Sequence, residues 1–348
     1  MGKVRKITIR DVADAAEVSP ATVSMVLNNS ERSFSDDVRK RVLHAVKKLK
    51  YTPVGVGRPC IGSFKNSNNS SKPKVAMLVD APHFSINESV YGMVHKGAEF
   101  ELRLHKIDLI VQNIDSYMLP ADVSGVIHFK TYGKNKDKLI GNRAAIICMG
   151  TIDRDSRSDH VTYNNADISI KAAKYLLGKG HKHIGFMPMD NSEIFSERSE
   201  VFQRLIIKSG TKCSYTTPTD HANLFDNPAN LEKVLREYLN RPDRPTALFI
   251  PADTVTSIAY PLLYSIGVIP GKDIEIVTCN NEFLRLAGLT PRPTVIDIKS
   301  FDIGRFAATQ LLNRIRHPSS APVQMELIPD LIEGSHWDKY IKESFYYR

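Results

Sequence analysis

The densest chemistry in the sequence stands near its start. Ser19-Pro20-Ala21-Thr22-Val23-Ser24-Met25 opens with a hydroxyl and a proline suited to helix positions N-cap and N1, and it carries further hydroxyls at Thr22 and Ser24. A helix begun this way can lie in a DNA groove with its first residues facing base edges and phosphates. The charge around it suits a polyanion. Residues 1–65 hold 13 Lys and Arg against 6 acids, +7 of the chain's +9, and no acid falls between Asp37 and Asp80. A merely solvated basic surface would not need to coincide with such a motif.

No comparable signal points to catalysis. The sequence has no G-x-G-x-x-G, Walker loop, G-x-S-x-G or H-E-x-x-H. His181-Lys182-His183 is poor ligand spacing without further partners, and Asp36-Asp37 suits a helix N-terminus. Cys60, Cys148, Cys213 and Cys279 form no C-x-x-C pair, as expected of reduced thiols. No metal or cofactor is expected. No run approaches the roughly 20 apolar residues of a membrane span, and the first residues lack a signal-peptide core, so the chain is expected in the cytoplasm and not in a membrane.

Three short helices must position the reading residues. Thr8 and Asp11 are spaced as an N-cap and its N3 acid, followed by Val12, Ala13 and Ala16 at helical spacing. After the turn Ala16–Ser19, Val23, Val26 and Leu27 form the inner face of a second helix. Beyond a polar loop, Ser35 caps a third, with Val38, Val42, Val46 and Leu49 inward. Two helices joined by a short turn, the second opening with polar residues, make a helix-turn-helix.

The composition then changes. Residues 52–73, TPVGVGRPCIGSFKNSNNSSKP, read as a linker. Beyond them strand-like runs at 74–80, 106–112, 125–129, 144–150, 183–188, 246–251, 273–280 and 294–299 alternate with helical patterns. Those patterns cover 88–104, 167–179, 197–208, 229–240, 255–266 and 301–316. Such alternation predicts doubly wound parallel sheets, and its length predicts two lobes. Between the second and third strands about a dozen residues remain, the lower limit of a parallel crossover, so a turn is expected there in place of a helix.

TIRDVADAAEVSPATVSMVLNN, followed by VRKRVLHAVKKLKYTP, resembles the headpiece of the lactose-repressor (LacI) family. KAAKYLLGKGHKHIGF (171–186), TALFIPAD (246–253), Gly267-Val268-Ile269-Pro270, Thr294-Val295 and Ile303-Gly304-Arg305-Phe306-Ala307-Ala308 are similar to its later segments. The resemblance is strong over 7–53, diffuse over 74–163 and clear over 164–334. It implies an α plus α/β fold: a helix-turn-helix headpiece (1–52), a hinge or linker (53–73) and a two-lobed periplasmic-binding-protein-like domain (74–348). The N-lobe is expected at about 74–163 plus 294–322, and the C-lobe at about 164–293 plus 323–348. The implied protein is a homodimeric transcription regulator, expected to repress. It holds double-stranded operator DNA by the headpiece and a sugar-like small-molecule effector between the lobes.

Carried over residue by residue, the resemblance places DNA contacts at Thr8, Ser19, Pro20, Ala21, Thr22, Ser24, Met25, Asn28, Tyr51, Arg58 and Cys60. It places effector contacts at Phe84, Asn164, Arg198, Asp253 and Asn280, with the donor fork of Arg198 suited to hydroxyls or carboxylates. Several positions depart from the family. Glu17 stands where the turn usually has Gly and is strained if that position needs positive φ. Met25 replaces a polar base reader, which shifts readout toward thymine methyls. Two glycines and an internal proline in 53–60 oppose the family's short minor-groove helix, so a helix ordered on DNA and an extended tether both stay open. Asn164 and Asn280 replace acids, which keeps a sugar ligand and eases an anionic one. The alternative is a sugar-modifying α/β enzyme with an appended basic domain. A regulator shifts promoter DNA and leaves its ligand unchanged.

Overall fold

The computed structural model describes residues 8–27, 35–49, 74–79, 90–114, 118–129, 140–152, 158–190, 192–216 and 228–345. The headpiece holds α1 (Ile9–Ala16), α2 (Pro20–Leu27) and α3 (Asp36–Lys48). Each begins on the cap its sequence announces. The Thr8 N–H and hydroxyl both donate to the Asp11 carboxylate at 2.7 Å. The Thr22 N–H donates to Ser19 Oγ at 3.0 Å, and the Val38 N–H to Ser35 Oγ at 3.4 Å. Val12, Ala13, Ala16, Val23, Val26, Val42 and Ala45 meet as one small core. Glu17, which ends α1, lies in the left-handed region at φ 52°. Arg41 of α3 reaches it at 3.6 Å and Asp37 at 3.2 Å, an exposed contact between the turn and the third helix.

A first lobe is begun by β1 (Lys74–Val79), α4 (Val90–Leu104), β2 (Asp108–Asn113), β3 (Val123–Phe129), β4 (Ala144–Cys148) and β5 (Asp159–Tyr163). The second holds α5 (Asn165–Gly178), β6 (His183–Phe186), α6 (Glu193–Lys208), β7 (Lys212–Tyr215) and α7 (Pro228–Leu239). It continues with β8 (Ala247–Ile250), α8 (Asp253–Ser265), β9 (Glu275–Cys279), α9 (Phe283–Leu286) and β10 (Thr294–Asp297). The chain then returns for α10 (Ser300–Arg316) and β11 (Gln324–Leu327) before crossing back to β12 (Asp330–Ile332) and α11 (Trp337–Phe345). The sheets run β11-β5-β4-β3-β1-β2 and β12-β10-β9-β8-β6-β7, parallel throughout except for β12 against β10. Between β2 and β3 the described residues hold a turn and no helix.

The crossing points differ from those expected at 294 and 323. Strand β10 pairs with β9 in the second sheet, and β11 pairs with β5 in the first. Thr294, Val295, Ile296 and Asp297 are all buried, as an inner strand between two neighbours requires, whereas Gln324–Leu327 alternate between exposed and half-buried at a sheet edge. Strand β5 was not expected at all, because Asp159-His160-Val161-Thr162-Tyr163 reads as polar. It is nonetheless wholly buried, since Asp159, His160 and Thr162 each have a partner. Arg314 holds Asp159 at 2.6 Å, the ring Nε2 of His160 pairs with Met149 O at 2.7 Å, and Thr162 donates to Gly150 O at 2.8 Å.

Helices α4 and α10 cover the first sheet in unusually close contact. A Cβ on Gly97 would fall 1.9 Å from Phe301 O, and one on Gly304 would fall 1.9 Å from Val94 O. Only two glycines facing each other's backbone allow that approach. No described helix is long and apolar enough to cross a membrane.

Candidate functional site

The expected site residues that the structure describes fall in two places. On the headpiece, Thr8, Ser19 and Pro20 are exposed at the starts of α1 and α2, and Thr22 is half-buried. The Thr22 hydroxyl lies 2.9 Å from Ser19 Oγ, so these two hydroxyls form one polar knob at the positive end of α2. Ala21, Ser24 and Met25 lie within α2, but their side chains fall outside the described residues. Asn28, Tyr51, Arg58 and Cys60 also fall outside them.

The second surface forms where strand ends of both sheets converge. Arg198, on α6, is only 2 % exposed. Its Nε donates to Asn165 Oδ1 and its Nη1 to Pro251 O, each at 2.9 Å, with Cys279 Sγ at 3.7 Å from Nη1. The guanidinium also lies over the rings of Tyr163 at 5.2 Å and Phe195 at 5.6 Å. It thereby ties together the ends of β5, β8 and β9. Its Nη2 has no partner among the described residues. Burial pushes the Cys279 thiol up to about 12, so the sulfur beneath the guanidinium stays protonated.

Asp253, the first residue of α8, is fully buried. Its Oδ1 accepts from the Thr278 hydroxyl at 2.6 Å and its Oδ2 from the Glu282 N–H at 2.7 Å. Burial, and then the Glu282 charge beside it, push its carboxyl well above the usual range. Asp253 thus anchors the loop after β9, where Asn280 and Asn281 take successive positive φ values of 120° and 63°. The Asn280 N–H is held by Ile296 O at 2.9 Å, and its amide has no partner among the described residues. Asn281 accepts from Trp337 Nε1 at 2.9 Å.

Asn164 sits on the first crossing between lobes. Its Oδ1 caps α5 by accepting from the Asp167 N–H at 2.7 Å, and its Nδ2 donates to Glu326 at 3.0 Å. Phe84 lies outside the described residues. The structure therefore brings Arg198, Asp253 and Asn280 to one rim, with Asn164 beside the crossing.

Three partners at this rim were not singled out in the sequence: Asn165, Thr278 and Glu282. Asn165 follows the expected Asn164, and Thr278 lies two residues before the expected Asn280. Glu282 reads as a surface acid in NNEF, yet it is 8 % exposed. Its Oε1 accepts from the N–H of Val90 on the other lobe at 3.2 Å. Burial raises its carboxyl too. His181 and His183 bond separately, to Thr246 and Ser214.

A helix-turn-helix headpiece joined to two parallel α/β lobes with a polar rim between them defines a DNA-binding transcription regulator, not an enzyme. Residues 8–54 match the family of bacterial regulatory proteins of the lacI type, and residues 173–335 match the periplasmic binding protein-like domain. The chain is 25% identical over 353 residues to catabolite control protein A of Priestia megaterium, covering 94% of this chain and 98% of that one. It is 25% identical over 324 residues to the ribose operon repressor of Haemophilus influenzae, covering 90% and 93%. The fold is shared with a transcriptional regulator CelR–cellobiose complex at TM-score 0.63 and 19% identity, over 94% of this chain and 98% of that one. It is shared also with the lac repressor dimer bound to operator and the anti-inducer ONPF, at TM-score 0.60 and 16% identity, over 94% and 98%. The chain belongs to the LacI family of bacterial transcription regulators.

Proposed function

We infer that this chain is a cytoplasmic, homodimeric repressor. Its operator affinity is set by a neutral, sugar-like metabolite bound between residues of the two lobes. The observation that carries this reading is the convergence of Arg198, Asp253 and Asn280 at strand carboxyl ends, the usual ligand position in open α/β sheets. A neutral ligand suits the charge balance. The Arg198 guanidinium is committed to Asn165 and Pro251 and Arg285 lies against Glu282, while Asp253 and Glu282 supply acid. The Nη2 of Arg198 and the Asn280 amide, without partners among the described residues, are the donors assigned to ligand hydroxyls.

The headpiece, through Ser19, Pro20, Thr22 and the other expected contacts on α2, is assigned to the major groove, with Met25 setting base preference by apolar contact. Residues 53–73 are assigned as the tether between headpiece and lobes. The test has two stages. Selection from random DNA with the intact chain should return a two-half-site sequence, as a two-fold dimer requires. A thermal-shift screen of neutral sugars and their acids should then find stabilisation by a neutral member. Recovery of no preferred sequence would refute the regulatory reading, and stabilisation by acids alone would refute the ligand class.

A further inference from the structure

We propose that Glu282 is a latch between the lobes, tying the loop after β9 to the start of α4 on the opposite lobe. The idea rests on the inferred ligand position only for its consequence, not for its evidence. Glu282 and Val90 are 192 residues apart, on different sheets' connections, and their hydrogen bond is 3.2 Å long. Among the described residues the Val90 N–H, at the described start of α4, has the Glu282 carboxylate as its acceptor. A carboxylate at a helix N-terminus also meets the positive end of the helix dipole.

The rest of the loop is built to aim that carboxylate. Asp253 grips the Glu282 N–H at 2.7 Å, and Trp337 grips Asn281 at 2.9 Å. Asp297 accepts from the Asn281 amide at 3.3 Å. The two consecutive positive-φ asparagines reverse the chain between these grips. On the carboxylate itself, Thr254 Oγ1 stands at 3.5 Å and Arg285 Nε at 3.8 Å from Oε2. That leaves Oε1 for Val90. A nearly buried carboxylate is costly to hold, and here its charge is spent on the opposite lobe. A molecule entering between the lobes must displace this contact or add to it, so the latch sets the ligand-free reference against which any effector acts.

The chain carries its own reporter. Trp337 is the single tryptophan, 2 % exposed, and stacked on Phe283 with ring centroids 5.5 Å apart. In the full chain, without DNA or effector, Glu282→Ala removes the acceptor. Val90→Pro removes the donor from the other side. Lobe closure is read by small-angle scattering and loop release by acrylamide quenching of Trp337. Each variant is expected to lower the closed-to-open ratio roughly tenfold, as loss of a charge-assisted hydrogen bond implies. The double variant is expected to go no further than either single one. Unchanged scattering and quenching in both single variants, or effects that multiply in the double variant, would overturn the latch. Neither measurement involves a ligand, so failure here leaves the effector reading standing. A failed ligand screen likewise leaves the latch measurable.

Discussion

Replacing Arg198 with methionine removes a side chain that braces three strand ends at once. Two bonds are lost, to Asn165 Oδ1 and Pro251 O, both at 2.9 Å, and two acceptors are left without their partner. A hydrogen bond to a charged group contributes about 1.5–3 kcal/mol, and methionine returns part of the loss by sparing the desolvation of a buried cation. The expected net cost is about 3 kcal/mol. At about 2–4 °C per kcal/mol for domains of 150–250 residues, the melting temperature should fall by about 6–12 °C. Urea unfolding followed by Trp337 emission should show an earlier midpoint with an unchanged slope. Arg198→Lys keeps the charge but cannot span both acceptors, so it should fall in between. A variant within about 2 °C of the parent would refute the bracing role. The same Arg198→Met chain should also lose any effect of the metabolite on operator binding.

Arg314→Met should expose the acid-side dependence of the first lobe. Burial would raise the Asp159 carboxyl, but Arg314, the Val323 N–H and Gln310 outweigh it and hold the group below its ordinary value of 3.8. A depressed folded value stabilises above the ordinary value and is lost as pH falls through the folded one. The parent should therefore exceed the variant by about 3–5 kcal/mol near neutrality, with the gap closing as pH falls below about 4 in denaturant titrations; a constant gap would contradict this. Glu17→Gly should raise headpiece stability by about 1 kcal/mol by relieving the left-handed residue, since the exposed Arg41 contact it deletes contributes little. Lower headpiece stability on calorimetry would show that the contact outweighs the strain. Met25→Arg should change the half-site recovered by selection from random DNA, and an unchanged site would remove Met25 from base readout.

The headpiece was legible because its signals are local. Thr8, Ser19 and Ser35 cap their own helices, and the apolar stripes lie within one or two turns of each cap. The strands of β1, β3, β8 and β9 were legible as continuous apolar runs. Strand β5 was not, because its burial depends on Arg314, which is 155 residues away. The sheet membership of β10 and β11 was likewise a matter of which neighbour each strand meets across the crossings. At the rim, Arg198 and Asp253 were indicated by resemblance, while their wiring to Asn165, Pro251 and Thr278 was not. Glu282 carries no local signal at all, since its partner is on the other lobe.

The central claim is that a small molecule at the rim between the lobes changes how the headpiece holds DNA. The direct measurement is fluorescence anisotropy of the selected operator with the full chain, with and without a saturating amount of the stabilising metabolite. Salt is held fixed, because phosphate contacts make affinity strongly salt-dependent. The account predicts a change in operator affinity of at least about fivefold, the lower end of typical coupling between sites, and none for Arg198→Met. Equal affinity with and without the metabolite, in a chain that demonstrably binds both, would contradict it.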